Sequence, residues 1–228
     1  MRIRAPKGVF LLSLAALLAA CQLPVDAAER TVNAPAAERR AAEAPGLKQA
    51  IFAGGCFWGI EGVFSHVAGV TSAVSGYHGG SRQDATYARV SGGATGHAEA
   101  VRVTYDPARV RYDELLRIFF AVATDPTQRD RQGPDVGTQY RSALVPLSQE
   151  QRLVASAYLA QLRASGLWRA PIVTRIERFQ RFYPAEAHHQ DFMKANPDNG
   201  YILRWDAPKV EALQRQFPRQ YKAGFTPG

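Results

Sequence analysis

The chain has 228 residues, 46% of them hydrophobic, and a formal net charge of +8 from 28 basic and 20 acidic residues. Its Arg and Lys residues are scattered, with no basic run longer than two, so no nucleic-acid partner is expected. The sequence contains two cysteines, Cys21 and Cys56.

The N-terminal residues are typical of a bacterial lipoprotein signal peptide. Basic residues at positions 2, 4 and 7 precede an apolar stretch, residues 9–20, that is shorter than the about 20 residues a membrane-spanning helix needs. The stretch ends in Leu-Ala-Ala-Cys, which resembles a lipobox. We therefore predict that residues 1–21 are a signal peptide with lipidation at Cys21. An ordinary secretory signal that is cleaved nearby is the alternative.

This interpretation predicts an exported protein in the cell envelope, anchored to a membrane by lipid and facing the bacterial periplasm. Losing the three basic residues of the signal lowers the net charge from +8 to +5. Residues 22–46 are rich in Ala, Pro and charge and contain no aromatic residue, so we expect a disordered tether. The remaining length suits one domain over residues 47–218 and a flexible tail over 219–228.

Cys56 follows a predicted strand–turn–helix. The apolar run 49–53 has strand length, Gly54 and Gly55 permit a tight turn, and apolar residues then recur at helical spacing. Cys56 would begin the helix, where backbone N–H groups and the helix dipole favour a thiolate. A lone thiol is a liability in an oxidising compartment, so Cys56 is either buried and inert or retained for its reactivity.

The rest of the pattern mixes strands and helices. Strands are predicted over 70–77, 99–105, 143–146 and 172–179, and helices over 112–123, 149–165, 185–194 and 208–217, with long polar loops before residues 99 and 143. We therefore expect an α+β domain with a mixed, largely antiparallel sheet.

Glu99 alternates in phase with apolar residues of its strand. It shares one face with Val101, Val103 and Tyr105. A carboxyl group on that face is desolvated and tends to keep its proton, as a general acid requires near neutral pH. A strand-end Glu paired with an Arg at the rim is the alternative.

The histidines do not predict a metal site. His97-Ala98-Glu99 has the spacing of a zinc deaminase but lacks the Pro-Cys-x-x-Cys that completes it. His188 and His189 are neighbours and cannot both face one metal from a helix.

A series of motifs follows in order along the chain: Gly54-Gly55-Cys56-Phe57-Trp58-Gly59, Gly76-Tyr77-His78-Gly79-Gly80, Thr86-Tyr87, Gly96-His97-Ala98-Glu99-Ala100-Val101, Asp135-Val136-Gly137-Thr138-Gln139-Tyr140-Arg141-Ser142 and Phe182-Tyr183-Pro184-Ala185-Glu186. Over roughly residues 47–218 the chain resembles the A-type peptide methionine sulfoxide reductases. The resemblance implies a ferredoxin-like two-layer α/β sandwich. It also implies reduction of the S epimer of methionine sulfoxide, free or in oxidised proteins, without a cofactor.

The resemblance also implies residue roles. Cys56 would attack the sulfoxide sulfur and become a sulfenic acid, and Glu99 would protonate the departing oxygen. Tyr87 and Tyr140 match two hydroxyls that stabilise the developing oxyanion. Asp135 matches a second acidic position.

Phe57 and Trp58 would form the pocket for the substrate's methyl group, and His189 matches a histidine behind it.

Two departures from the family pattern stand out. Thr124 occupies a position where many relatives have His, and no cysteine occurs after Asn196, where relatives often carry resolving cysteines. Regeneration would then need an external thioredoxin-like dithiol or a monothiol. A monomer is the default expectation.

Two other functions fit Cys56. In a Cys–His hydrolase, Cys56 would be the acylating nucleophile and His97 or His189 the base. A non-catalytic envelope lipoprotein on a degenerate reductase scaffold is the third interpretation.

Overall fold

The computed structural model describes residue 1 and residues 31–228, so Cys21 and the predicted lipobox lie outside the described residues. The strands are β1 (Lys48–Ala53), β2 (Val70–His78), β3 (Ala98–Tyr105), β4 (Arg131–Gln132), β5 (Asp135–Val136), β6 (Ala143–Val145), β7 (Arg175–Ile176) and β8 (Phe182–Pro184). The α-helices are α1 (Phe57–Ser65), α2 (Tyr87–Val90), α3 (Tyr112–Ile118), α4 (Gln149–Ala164), α5 (Phe192–Ala195) and α6 (Ala207–Gln216). Between residues 31 and 228, no helix is long and apolar enough to cross a membrane.

The main sheet has the strand order β7-β6-β1-β3-β2-β8. Its neighbouring strands are antiparallel except for the parallel pair β6 and β7. The central strand β1 pairs Phe52 with Val101 of β3 on one side and with Leu144 of β6 on the other. The expected mixed, largely antiparallel sheet is confirmed.

Helices and strands share a core on one face of the sheet. Alternation along β1 places Ala50 and Phe52 in the cluster to which α1, α3, α4 and α6 contribute, while Ile51 and Ala53 join a smaller cluster on the other face. The Phe52 ring lies 4.7 Å from that of Phe64. The sheet is therefore packed mainly from the helical side.

A glycine turn joins β1 to α1. Gly55 has a φ of +108°, and a Cβ there would lie 2.6 Å from Gln132 Cβ, so both backbone angle and space require glycine. A Cβ on Gly54 would lie 2.8 Å from the Thr124 hydroxyl, which donates to Gln132 at 2.8 Å. The predicted tight turn is confirmed, and Thr124 has a packing role beneath it.

The predicted tether differs from the structure over residues 31–46. This segment lies against α3 and α4. The Ala41 N–H donates to Asp113 at 2.9 Å, and Glu43 accepts from the Tyr105 hydroxyl at 2.5 Å and the Tyr112 N–H at 3.0 Å. Composition predicts disorder because the segment cannot form a core alone. Its polar groups instead pair with partners on the domain.

The predicted flexible tail 219–228 also differs. Lys222 and Thr226 donate their backbone N–H groups to the carbonyls of His66 and Ser65, each at 2.9 Å. The last carbonyls of a helix have no hydrogen-bond donor within the helix. The tail supplies N–H donors to carbonyls at the end of α1.

Two predicted elements are shorter than expected. The strand over 172–179 is confined to Arg175–Ile176. The helix over 185–194 is interrupted at Asp191, whose φ of +54° is left-handed, so a short 3₁₀ turn, Ala187–His189, precedes α5. The other predicted elements match helices and strands of the structure within a few residues.

Candidate active site

Cys56 is the N-cap residue of α1 and is partly buried. Burial raises the pKa of its thiol well above the usual range, and the nearby carboxyl groups of Glu99, Asp206 and Asp135 raise it further. The Trp58 N–H lowers the pKa but does not compensate. Desolvation thus outweighs the effect expected of the helix N-terminus, and the thiol form of Cys56 is favoured.

Glu99 lies near the start of β3, on the face predicted from alternation, and is 1% exposed. Its Oε2 accepts a hydrogen bond from the backbone N–H of Phe57 at 3.0 Å. Burial raises its pKa to about 8 although that bond acts in the opposite direction, and Asp135 adds to the rise. The partner of Glu99 is thus the residue after Cys56, and at neutral pH the carboxyl group carries a proton.

Tyr87 begins α2, and Tyr140 ends the 3₁₀ turn Thr138–Tyr140. The Glu186 carboxylate holds Tyr87 in place. It accepts one hydrogen bond from the Tyr87 N–H at 2.9 Å and another from the Tyr77 hydroxyl at 2.8 Å. Burial and the nearby Glu99 raise the pKa of both Tyr87 and Tyr140. Both phenols therefore remain protonated and can donate hydrogen bonds near Glu99.

Asp135 lies in β5, whose partner is β4. Burial raises the pKa of its carboxyl group, and the Tyr201 hydroxyl donates to it. The Tyr201 ring meets the Trp58 ring edge-on, with 6.0 Å between centroids. Tyr201 thereby joins Asp135 to the aromatic residue that follows Phe57.

An aromatic wall surrounds the N-terminus of α1. Trp58 stacks on Phe192 with 3.7 Å between centroids and 8° between ring planes. The His189 ring lies 5.4 Å from that of Phe57 and 4.4 Å from that of Tyr87. Burial lowers the pKa of His189, so a neutral imidazole packs among the aromatic rings.

The structure brings the sequence-predicted residues together. Cys56, Phe57 and Trp58 come from the start of α1, Glu99 from β3, and the remaining predicted residues from loops and short elements: Tyr87, Asp135, Tyr140 and His189. No group of three His, Cys, Asp or Glu side chains within the described part of the chain could hold a metal ion. The arrangement combines a thiol, a protonated carboxyl group, two hydroxyl donors and an apolar surface.

Residues 48–221 match the family model for peptide methionine sulfoxide reductase. The chain belongs to this family. A peptide methionine sulfoxide reductase MsrA 2 from Mesorhizobium japonicum is 54% identical over 178 residues, covering 78% of this chain and 91% of the relative. A relative from Deinococcus radiodurans, peptide methionine sulfoxide reductase MsrA, is 51% identical over 170 residues, 75% of this chain and 82% of its own.

Solved structures agree with the assignment. Methionine sulfoxide reductase A of Corynebacterium diphtheriae has a TM-score of 0.57 and 38% identity, covering 68% of this chain and 77% of its own. Reduced Mxr1 from Saccharomyces cerevisiae has a TM-score of 0.57 and 33% identity, covering 67% and 87%. As a family member, the chain is an enzyme that reduces the S epimer of methionine sulfoxide to methionine with thiol reductants and no prosthetic cofactor.

The geometry at His97 argues against this residue as the base of the hydrolase alternative. Its Nδ1 accepts from the Gly80 N–H at 3.1 Å, and its Nε2 donates to the Ser81 carbonyl at 2.8 Å. Both ring nitrogens of His97 are thus hydrogen-bonded to backbone groups of the loop between β2 and β3. These bonds hold the segment that precedes Glu99.

Several residues of the reductase site were missed by sequence reasoning. Tyr201, Asp206 and Phe192 come from the C-terminal part of the chain, and Glu186 holds Tyr87. Only Glu186 carried a signal, as the last residue of a family motif. The others are polar or aromatic residues in segments without a distinctive pattern, and long-range folding brings them to α1.

Proposed function

We propose that Cys56 is the nucleophile and Glu99 the general acid of this reductase. The observation that carries the proposal is the hydrogen bond between the Phe57 N–H and a buried carboxyl group with a pKa of about 8. It places the acid beside the residue that follows the thiol. An acid whose pKa lies near the working pH is suited to transferring a proton in the transition state.

The proposed reaction conserves atoms and electrons. The Cys56 sulfur bonds to the sulfoxide sulfur while Glu99 transfers its proton to the sulfoxide oxygen. The oxygen then passes to the Cys56 sulfur as the sulfoxide S–O bond and the new S–S bond break, which leaves a sulfenic acid on Cys56. Methionine leaves as the thioether. The thiol proton lost by Cys56 restores the Glu99 carboxyl group. Sulfoxide sulfur is reduced, and the Cys56 sulfur is oxidised by the same two electrons.

Tyr87 and Tyr140 stabilise the oxygen as negative charge develops on it. Both hydroxyl groups remain protonated beside Glu99, which supports an electrostatic role. Asp135, held by Tyr201, orients the substrate.

Phe57 and Trp58 receive the methyl group of the substrate. The neutral His189 ring, packed against Phe57, completes the wall behind them and contributes shape rather than charge.

We propose that regeneration needs a thiol from outside the chain. The sequence contains no cysteine after Cys56, and Cys21 is lipidated under this proposal. An external thiol condenses with the sulfenic acid to give a mixed disulfide and water. A second thiol, from the same thioredoxin-like dithiol or from another monothiol, then releases Cys56.

The finer fold assignment is also a proposal. We infer a ferredoxin-like two-layer sandwich from the antiparallel strand order β6-β1-β3-β2, with α1 connecting β1 to β2 and α3 lying between β3 and β6. Both helices contribute to the core on the same face of the sheet.

We further propose that the enzyme is a monomeric lipoprotein. The lipobox at Cys21 supports export, an anchor in a bacterial envelope membrane and an orientation toward the periplasm. Oxidised envelope proteins and free methionine sulfoxide would be its substrates. Metabolic labelling with a fatty-acid analogue tests the anchor: loss of label in Cys21→Ser supports it, and retained label contradicts it.

An activity assay tests the catalytic proposal. The full chain carrying Cys21→Ser, purified in detergent, should reduce a peptide containing methionine S-sulfoxide with dithiothreitol and leave the R epimer unchanged. The additional substitution Cys56→Ser should abolish turnover. Undiminished activity after that substitution would exclude Cys56 as the nucleophile.

A further inference from the structure

Arg141 is a buried cation that directly follows Tyr140, and it is 9% exposed. Its guanidinium makes a two-pronged ion pair with Glu177, from Nε to Oε1 at 2.8 Å and from Nη2 to Oε2 at 3.1 Å. An ion pair that is largely removed from water contributes little net stability, because desolvation offsets the attraction between its charges. Stability alone therefore does not account for an arginine at this position.

Two further hydrogen bonds of the same guanidinium reach the backbone of the site. Nη1 donates to the Thr138 carbonyl at 3.0 Å, and Nη2 donates to the Gly96 carbonyl at 3.2 Å. Thr138 begins the 3₁₀ turn that ends at Tyr140, and Gly96 lies two residues before β3, the strand of Glu99. One side chain thus joins the turn that carries Tyr140 to the segment that leads to Glu99.

A glycine after β2 leaves room for this junction. Gly79 has a φ of +105°, and a Cβ there would lie 3.1 Å from both Arg141 Nη2 and the Gly96 carbonyl oxygen. A side chain at this position would therefore press on the two atoms that form the hydrogen bond. Three segments of the chain, which follow β2, precede β3 and precede β6, meet at one guanidinium.

We propose that Arg141 is a positioning residue for the reductase reaction, which holds the Tyr140 hydroxyl in register with Glu99. The proposal rests on the functions proposed above for Tyr140 and Glu99. A phenol stabilises charge on the sulfoxide oxygen only if its hydroxyl lies within hydrogen-bond distance of that oxygen as the charge develops. Because the bonds of Arg141 go to protein groups, it acts through the turn and not on the substrate.

The contacts of Arg141 depend on the shape of its side chain. A planar guanidinium directs its N–H groups along fixed directions, so that it can serve a carboxylate and two carbonyls on different segments at once. A lysine ammonium is a point charge on a flexible stem and does not reproduce this arrangement. Lysine does keep the positive charge beside Glu177. The substitution Arg141→Lys therefore separates the geometric role of the residue from its charge.

The test measures Arg141→Lys in the Cys21→Ser chain, which serves as the parent. The kcat for a peptide containing methionine S-sulfoxide should fall by on the order of 10²-fold, the cost of displacing a positioned group by about 1 Å. KM should change little, because Arg141 does not touch the substrate. Arg111→Lys is the matched control and should keep the kcat of the parent. Arg111 makes an equivalent two-pronged pair with Asp113 before α3, at 3.0 and 2.9 Å.

A double variant separates positioning from a general structural defect. If Arg141 acts through the Tyr140 hydroxyl, Arg141→Lys should lower kcat by less than about three-fold in a chain that already carries Tyr140→Phe. A general defect would instead multiply the two losses, to on the order of 10⁴-fold. Circular dichroism and urea unfolding verify that each variant is folded.

Glu177→Gln replaces Arg141→Lys in the test if the lysine variant does not fold. It leaves the guanidinium in place but weakens its anchor, so kcat should fall in the parent and hardly at all in Tyr140→Phe. The proposal is overturned if the folded variant keeps the kcat of the parent or if the two losses multiply. It is also overturned if neither variant folds, since the pair would then be needed for the fold itself.

Failure of the underlying mechanism has a different signature. In that case Tyr140→Phe alone would keep the kcat of the parent, or Cys56→Ser would remain active. Either result removes the reaction step in which Tyr140 is proposed to act, and with it the role of Arg141. A loss of kcat in Tyr140→Phe without a loss in Arg141→Lys would overturn the role of Arg141 alone.

Discussion

The backbone N–H of Phe57 donates to the Glu99 carboxyl group at 3.0 Å, which joins the first residue of α1 to the start of β3. The residue that donates this bond directly follows Cys56. One contact between α1 and β3 therefore holds the proposed acid beside the residue that follows the proposed nucleophile. Under the proposed mechanism, burial of Glu99 keeps the proton that the reaction at Cys56 needs.

Replacing Glu99 with Gln should lower kcat on the order of 10²–10⁴-fold, the range expected for loss of a general acid. Since the acid acts in its protonated form and its pKa is raised to about 8, activity should persist below pH 8 and fall above it. In Glu99→Gln, kcat/KM measured from pH 6 to 10 should lack this fall. A fall in kcat/KM near pH 8 that persists in the variant would show that another group is responsible for it.

The same substitution changes stability. A carboxyl group with a raised folded-state pKa binds its proton more tightly in the folded protein, so stability falls as pH rises from about 4.5 to about 8. Urea unfolding of Glu99→Gln should show less of this fall, which leaves the variant more stable than the parent at pH 9. Lower stability at pH 9 would indicate that the hydrogen bond from the Phe57 N–H stabilises the carboxylate by more than burial destabilises it.

Tyr87→Phe and Tyr140→Phe should each lower kcat, by on the order of 10²-fold for a hydroxyl that binds a developing oxyanion. KM should change little, because the bonds strengthen in the transition state. Tyr221→Phe is a matched control, since Tyr221 pairs with Val67 at the other end of α1. Rises in KM with unchanged kcat would show that the phenols bind the ground state instead.

Gly55→Ala should misplace Cys56. The left-handed backbone angle and the overlap with Gln132 both oppose a side chain, and displacement of the nucleophile should cost on the order of 10²-fold in kcat. Gly200→Ala is the control, because a Cβ there would meet nothing within 4 Å. Equal activities of the two variants would show that the turn does not position the thiol.

The sequence predicted those features of the site that depend on neighbouring residues alone. The two glycines predicted the turn before Cys56, and alternation along β3 predicted that Glu99 faces the apolar side. The ionisation state of Cys56 could not be predicted, since it depends on burial by distant elements. Tyr201 and Asp206 were missed for the same reason: they reach the site from beyond residue 200, and nothing local marks them.

Segments 31–46 and 219–228 show a second limit of sequence reasoning. Residues 31–46 contain no aromatic residue and cannot form a core by themselves, so composition alone predicts disorder there. Their polar groups nevertheless pair with the domain, as Glu43 does with Tyr105 and Tyr112. Such pairing depends on the folded partner and leaves no periodic pattern in the segment.

Glu43→Gln should therefore destabilise the domain. Weakening the bonds from the Tyr105 hydroxyl and the Tyr112 N–H should lower the free energy of unfolding by about 1–3 kcal/mol, a typical cost for disrupted hydrogen bonds to a charged group. Glu38→Gln, at an exposed position of the same segment, is the control. Identical urea midpoints for both variants would mean that the segment contributes no stability through Glu43.

A single-turnover experiment tests the central claim, that one cysteine performs the chemistry and needs an external thiol to complete the cycle. The Cys21→Ser chain is mixed with excess methionine S-sulfoxide peptide without reductant, then treated with dimedone and analysed by mass spectrometry. We expect about one reduced peptide per chain and a dimedone adduct on Cys56, with turnover resuming when dithiothreitol is added. Continued turnover without reductant, or product formation without oxidation of Cys56, would contradict it.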